Sequence, residues 1–293
     1  MPEDEDPLAI SPPTAAAASG AGGWPPASEL VTALRAAGCV FAEDEAALLR
    51  AEARSPLHLA ELTARRVAGA PLEHILGWAS FLGHRVLVHP GVFVPRRRTE
   101  LLVELALAAL AARGALRPAR VVDLCCGSGA VGMALASSRP GIELHAIDID
   151  PAAVRCARQN IPASAGQVYQ GDLDGPLPTR LRGAVDVLTA NVPYVPTRAL
   201  RLMPPEARQH EPRAALDGGP EGLDLLLRVA ALAPRWLAPG GEVLMEAGAA
   251  QAPTLLEALG RAGLSPSLVQ DPDREATVVR GASAQQEAGA GLP

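Results

Sequence analysis

The chain has 293 residues, 48% of them hydrophobic and 20% charged, with a mean hydropathy of +0.15. Such a composition buries a sizeable core, excludes a wholly disordered protein, and leaves room for one large or two smaller domains. The formal charge is −6 and all 26 basic residues are arginine. The acidic balance argues against non-specific nucleic-acid binding as the main role. The missing lysine excludes a Schiff base, a pyridoxal anchor and a phosphate-loop lysine.

Residues 1–27 are rich in Pro, Ala, Gly and acidic residues without period, which predicts a disordered tail. Its acidic start at Glu3, Asp4, Glu5 and Asp6 is unlike a signal peptide. Residues 28–80 read as a small helical domain. Ser28 is expected to cap a helix through Leu30, Val31 and Leu34 that stops at Gly38. A second helix is expected from about Asp44 to Arg54. Ser55 and Pro56 then form a cap and first-turn pair for a third helix ending near Gly69, and Pro71 to Leu76 offers a last short turn. This module is too small to be an enzyme alone and suits substrate docking. Residues 81–95 read as a linker or hairpin, with Trp78 and Phe81 expected to pack the two domains together. Arg96-Arg97-Arg98 reads as a solvated junction rather than a contact for RNA or an acidic partner.

Residues 96–281 alternate strands and helices. Their apolar stretch Leu101–Ala112 is interrupted by Glu104 and falls far short of the roughly 20 residues of a membrane span. Strands are expected at Arg120–Leu124, Leu144–Ile149, Val168–Gln170, Val185–Ala190 and Glu242–Glu246. Helices are expected from Gly129 through Leu135, after the cap Asp150 with Pro151, over Gly222–Leu237 and over Ala249–Arg261. Leu268–Gln270 and Thr277–Val279 read as a closing hairpin, and residues 282–293 as a second tail. The grammar predicts an α/β fold with a mostly parallel sheet covered on both faces.

The cysteines Cys39, Cys125, Cys126 and Cys156 have no zinc spacing and no Cys-x-x-Cys pair. They suit a reducing cytoplasm, and Cys125 and Cys126 read as small fillers rather than nucleophiles. His74, His84, His89 and His210 also lack ligand spacing, so no metal site is expected.

In an open parallel sheet, ligands sit beyond the carboxyl ends of the strands. There the first large-domain strand runs into Asp123-Leu-Cys-Cys-Gly-Ser-Gly129. Gly127 and Gly129 let the backbone approach a ligand, and the following helix offers free N–H groups. Asp148, 21 residues after Gly127, is placed to accept both hydroxyls of a ribose. These features define a nucleoside pocket. Gly127-x-Gly129-x-x-Gly132 also satisfies a dinucleotide fingerprint, so NAD stays open at this step.

Two features tilt the reading toward a methyl donor. Asp123 lies four residues before Gly127, where a carboxylate faces a cationic amino-acid moiety rather than a pyrophosphate. Asn191-Val192-Pro193-Tyr194 follows the strand Val185–Ala190. A planar NH₂ is a poor nucleophile because its lone pair is delocalised. The Asn191 side-chain oxygen and the Val192 carbonyl can accept its two N–H bonds, orienting the nitrogen and favouring the charge that develops. Pro193 stiffens the turn, and Tyr194 can pack on the flat group.

With these residues the sequence resembles the HemK/PrmC family of protein-(glutamine-N5) methyltransferases over roughly residues 60–281. The resemblance is carried by Arg66-Val-Ala-Gly69-x-Pro71-Leu-Glu-His-Ile-Leu-Gly77, Phe81-x-Gly83, Val94-Pro-Arg96-x-x-Thr99-Glu100 and Asn191-x-Pro-Tyr194. Its most diagnostic stretch is Glu211-Pro-Arg-Ala-Ala-Leu-Asp-Gly-Gly219-x-Glu-Gly-Leu-Asp224. The resemblance implies a Rossmann-like class I methyltransferase domain with a seven-stranded sheet, an N-terminal docking domain and S-adenosylmethionine as donor. It implies that Cys125, Cys126, Gly127, Ser128 and Gly129 line the donor, Asp148 holds its ribose, Asp172 and Leu173 flank its adenine, and Asn191–Tyr194 hold the acceptor glutamine, with Asn191 also counted among the donor-binding residues. It further implies a protein substrate, a release factor or a ribosomal protein, with no direct nucleic-acid or membrane partner.

Three departures from the family pattern mark a divergent subgroup. Val192 stands where proline is usual, Cys125 where glycine is usual, and the helical module is short. Two rival functions use the same residues: an adenine-N6 methyltransferase acting on a flipped base, and a non-catalytic cofactor-binding scaffold. The charge of −6 and the 3% of aromatic residues weigh against the first.

Overall fold

The computed structural model describes residues 23–113 and 117–285. Most of both expected tails lies outside the described residues. The chain divides into two compact units, one ending at Gly69 and the other starting at Ala70.

The first unit has three helices: α1 (Ala27–Ala36), α2 (Ala42–Glu52) and α3 (Pro56–Val67). Leu30, Leu34, Ala46, Leu49, Leu59 and Leu62 are buried. Their burial is the main stabilising term for so small a unit. Gly38 turns the chain after α1 with φ +93°, and the Cys39 N–H returns to the Leu34 carbonyl at 3.0 Å. The Ser55 hydroxyl accepts from the His58 N–H at 3.1 Å, as the cap position requires. Ser28 does not act as a cap. Pro26 enters α1 first, and its carbonyl takes the Glu29 N–H at 3.1 Å, which leaves Ser28 inside the first turn. Arg66 forks onto the buried Glu45 at 2.6 and 3.1 Å.

The expected boundary at residue 80 falls too late. Helix α4 (Leu72–Leu76) and strand β1 (Trp78–Phe81) belong to the second unit, because β1 pairs antiparallel with β2 (His84–Leu87) and the Val88 N–H bonds to the Gly77 carbonyl. The hairpin loop Leu82-Gly83 has positive φ at both residues, the backbone that suits the right-handed strand twist. Phe81 is part of this unit's own core, beside Val86, Leu101 and Leu102.

The second unit continues with α5 (Glu100–Ala112), β3 (Arg120–Leu124), α6 (Ala130–Ser138), β4 (Glu143–Asp148) and α7 (Pro151–Asn160). Next come β5 (Gly166–Gln170), β6 (Val185–Ala190), the short α8 (Pro205–His210) and α9 (Asp224–Trp236). The chain closes through β7 (Leu237–Glu246), α10 (Ala252–Arg261), β8 (Ser265–Asp271) and β9 (Ala276–Ala282). The seven-stranded sheet has the order β5-β4-β3-β6-β7-β9-β8. The pairings from β5 to β7 are parallel, and β9 and β8 add an antiparallel edge.

Period-two side-chain alternation splits the core between the two sheet faces. Val122, Leu124 and Leu188 pack with Leu226, Val229 and Trp236 of α9 and Leu255 of α10. Val121 and Val187 pack with Leu102 and Leu110 of α5 and Leu135 of α6. Strand order reverses between β3 and β6, so a crevice opens beyond their carboxyl ends.

Candidate active site

The turn after β3 is built from alternating left-handed residues: Cys125 (φ +56°), Gly127 (φ +55°) and Gly129 (φ +81°). Gly129 meets the need for close approach as well, since a Cβ there would stand 3.1 Å from the Ala157 backbone of α7. Cys125 pays the steric cost of a side chain in a conformation that glycine adopts freely. Burial pushes its thiol pKa up, with the nearby carboxylates adding to the effect, so Cys125 stays a protonated filler. Cys125, Cys126 and Cys156 are free thiols.

Asp148, at the end of β4, is locked onto this turn. Its Oδ2 accepts the Gly127 N–H at 2.8 Å and its Oδ1 the Asp150 N–H at 2.9 Å. Each oxygen keeps a lone pair for a further donor. Asp123 lies deeper, 2% exposed. Its Oδ1 accepts the Thr189 hydroxyl at 2.9 Å, whereas its Oδ2 is buried without a partner. Desolvation lifts the Asp123 pKa to about 7, opposed by the Thr189 hydrogen bond and the nearby Gly132 N–H and assisted by Asp148. A buried carboxylate oxygen without a partner is costly unless a ligand supplies one.

Asn191 to Tyr194 leave the end of β6 and line the same cavity as Asp123, Cys125–Ser128 and Asp148. The Asn191 Nδ2 donates to the Thr99 hydroxyl at 3.2 Å. Val192 is buried. The Tyr194 hydroxyl donates to Glu246 Oε1, at the end of β7, at 2.9 Å. Burial, and then the Glu246 charge, raise the Tyr194 pKa, so the phenol keeps its proton. Asp172 and Leu173 follow β5 but do not line this cavity. Asp172 is half-exposed and pairs with Arg228 at 2.6 Å, while Leu173 is buried with φ +46°.

Arg96 and Arg98 are not a solvated junction. Both line the cavity, each bound to a buried glutamate: Arg96 to Glu211, and Arg98 to Glu246 at 3.3 Å. Arg96 also lies over Phe93, and Arg98 over Tyr194 with 5.9 Å to the ring centre. Of this run, Arg97 alone is exposed.

The segment Glu211–Asp224 buttresses the Asn191–Tyr194 turn. The Val195 N–H bonds to the Leu216 carbonyl at 3.0 Å and the Gly218 N–H to the Val195 carbonyl at 2.9 Å. Gln251, which nothing local in the sequence marks, binds the carbonyls of Tyr194, Glu221 and Gly222 through one amide nitrogen at 2.8 to 3.0 Å. A Cβ on Gly222 would fall 2.1 Å from the Tyr194 carbonyl oxygen, at φ +73°. Gly222→Ala is therefore expected to cost about 3 kcal/mol or more. Urea unfolding checks this; a midpoint equal to that of the unsubstituted protein would contradict the packing described.

Among the described residues, no three His, Cys, Asp or Glu side chains are grouped to hold a metal ion. Among the same residues no helix is long and apolar enough to cross a membrane.

A doubly wound sheet of this order, with an acidic glycine turn after its central strand and an Asn-x-Pro-Tyr turn beside it, defines a Rossmann-like methyltransferase. Accordingly, the family model for the methyltransferase small domain matches residues 83–203. A release factor glutamine methyltransferase of Geobacter sulfurreducens is 38% identical over 223 residues, covering 75% of this chain and 76% of the relative. Another, from Streptomyces coelicolor, is 40% identical over 215 residues, covering 70% and 76%. A 4-amino-L-phenylalanine/4-methylamino-L-phenylalanine methyltransferase of Streptomyces pristinaespiralis is 41% identical over 203 residues, covering 67% and 68%. The chain belongs to the release factor glutamine methyltransferase family.

Proposed function

We propose that this methyltransferase takes a methyl group from S-adenosylmethionine and places it on the side-chain amide nitrogen (N5) of a glutamine in a peptide-chain release factor. The observation that carries the proposal is the shared cavity. One wall offers carboxylates with unused acceptor capacity, Asp123 and Asp148, and the other offers the Asn191–Tyr194 turn. The donor supplies an electrophilic methyl on a positively charged sulfur. On this reading Asp123 Oδ2 takes the donor's ammonium, Asp148 its ribose hydroxyls, and Cys125–Gly129 give it backbone room. Asp172 and Leu173, at the end of β5 and outside this cavity, are assigned to the outer edge of the adenine.

On the acceptor side, Asn191 Oδ1 and the Val192 carbonyl receive the two N–H bonds of the amide, and Tyr194 packs on its plane. Holding both hydrogens fixes the nitrogen's position and stabilises the positive charge that grows as it bonds to carbon. As the N–CH₃ bond forms the donor's S–CH₃ bond would break, leaving neutral S-adenosylhomocysteine, and the cationic N-methylated amide would then lose one N–H proton to solvent, so no base is needed before the methyl moves. The three-helix unit is assigned to docking the protein substrate. Free cysteines in the described residues suit a reducing cytoplasm.

A second acceptor class has its own support. The relative named for 4-amino-L-phenylalanine is as similar as those named for release factors, and an aromatic amine shares the delocalised planar NH₂. Incubation with labelled S-adenosylmethionine and purified release factors, followed by peptide mapping by mass spectrometry, is expected to locate the label on one glutamine. Parallel arms contain 4-amino-L-phenylalanine, ribosomal proteins and RNA. Label in one of those arms alone would move the acceptor assignment to it.

A further inference from the structure

The amide of Asn191 presents two chemically opposite ends. Only Oδ1 accepts an N–H from an acceptor amide, and a half-turn about the last side-chain torsion would present Nδ2 instead. A hydroxyl neighbour can meet either end, as donor or as acceptor, and the one present meets Nδ2.

That neighbour is Thr99. It is 3% exposed and closes the short 3₁₀ turn Arg97–Thr99 before α5. Its hydroxyl oxygen stands 3.2 Å from Asn191 Nδ2. The turn itself is firmly mounted. The Thr99 N–H bonds to the Arg96 carbonyl at 3.0 Å, and α5 continues directly into the core through Leu101, Leu102 and Val103. Next to Thr99, Arg98 touches both Tyr194 and the Glu246 that receives the Tyr194 hydroxyl. Two adjacent side chains of one turn thus contact both ends of the Asn191–Tyr194 segment, 92 residues away in sequence.

We infer that Thr99 is a positioning residue for methyl transfer: its hydroxyl accepts from Nδ2 of Asn191 and holds the amide with Oδ1 left for the acceptor nitrogen. The inference rests on the acceptor chemistry proposed above. Thr99 lines the same cavity, and the role assigned to it is exercised through Asn191.

The test compares Thr99→Val, which keeps the side-chain shape but loses the hydroxyl, with Thr99→Ser, which keeps the hydroxyl. Both are made in the full chain. With a glutamine acceptor, Thr99→Val is expected to lower kcat about 10- to 100-fold, in line with the cost of a small misplacement. Its S-adenosylmethionine Kd should stay within about twofold and its Tm within a few degrees. Thr99→Ser is expected to recover kcat to within about threefold. A Thr99→Val enzyme with full kcat overturns the inference, as does a loss that Thr99→Ser shares or that follows the donor Kd.

A second readout needs no turnover. In ¹⁵N-labelled protein, the Asn191 side-chain NH₂ signals, assigned through Asn191→Ala, should move in Thr99→Val and hold in Thr99→Ser. If they hold in both, the hydroxyl does not bind Nδ2 and the inference falls. Absence of methyl transfer by the unsubstituted enzyme would instead overturn the acceptor assignment, while the NMR comparison still decides the role of Thr99.

Discussion

Asn191→Ala is expected to lower kcat by about 10²- to 10³-fold, the range found when one donor or acceptor aimed at developing charge is removed. The alanine leaves the acceptor nitrogen without its side-chain anchor, although the Val192 carbonyl still accepts one N–H. Donor affinity should change little, within about threefold, because the carboxylates assigned to the donor sit on β3 and β4 rather than β6. Calorimetric titration of S-adenosylmethionine beside steady-state kinetics separates the two effects. A parallel loss of donor binding would show that Asn191 shapes the donor pocket, and would remove the argument that it orients the acceptor. Unchanged turnover would remove the role altogether, and the scaffold reading would return.

The sheet and the two turns at its carboxyl edge were legible because their signals are local. Strands β3 and β6 fall on the expected residues, since strands buried on both faces are short unbroken apolar runs bounded by turn residues. The spacing from Gly127 to Asp148 follows from one strand–helix–strand unit, and the Gly127 N–H does meet the Asp148 carboxylate. What surrounds those turns was not legible. Arg96-Arg97-Arg98 reads as a charge run, which as a rule is solvated. That two of its members lie beside buried glutamates depends on Glu211 and Glu246, 115 and 148 residues further along.

Gln251, and the contact that Thr99 of the junction motif makes with Asn191, are hidden for the same reason, because each depends on a backbone or side chain that only the closed sheet brings near. The first unit's boundary was misplaced because α4 has the helical pattern of the preceding helices. Its allegiance is fixed by the hairpin that follows it, and pairing partners are invisible to periodicity. Cys125 is the reverse case. The family expectation of glycine at that position is explained by a backbone torsion, φ +56°, that no composition or pattern displays.

Asp123→Asn is expected to weaken S-adenosylmethionine binding strongly and, at alkaline pH, to stabilise the free protein. Both follow from one buried carboxyl. Burial raises its pKa to about 7 in the folded chain, well above the usual carboxylate value of about 3.9. A folded pKa above the unfolded one means that the native state binds the extra proton. The stability this group contributes is therefore full below about pH 4 and is lost as pH rises to about 7. Above that range the ionised carboxylate is a net cost to the ligand-free fold, with its Oδ2 buried and unpartnered. A cationic group placed against it reverses the sign.

Donor affinity should accordingly be flat above about pH 7 and fall by up to tenfold for each pH unit below it. Asp148, whose pKa is also raised by burial, acts in the same direction. In Asp123→Asn the neutral amide removes most of that dependence and leaves what Asp148 contributes. The same substitution should raise the Tm of the free protein by several degrees at pH 8 and by little at pH 4. Calorimetric donor titration across pH 5.5 to 8.5, with thermal unfolding at pH 4 and pH 8, tests both effects. An affinity independent of pH in the unsubstituted protein, or an Asp123→Asn protein that is destabilised at pH 8, would mean that the carboxylate does not wait for a cation. A site that trades the stability of the free fold for affinity to a charged ligand must show both signs, since one desolvated oxygen produces them together.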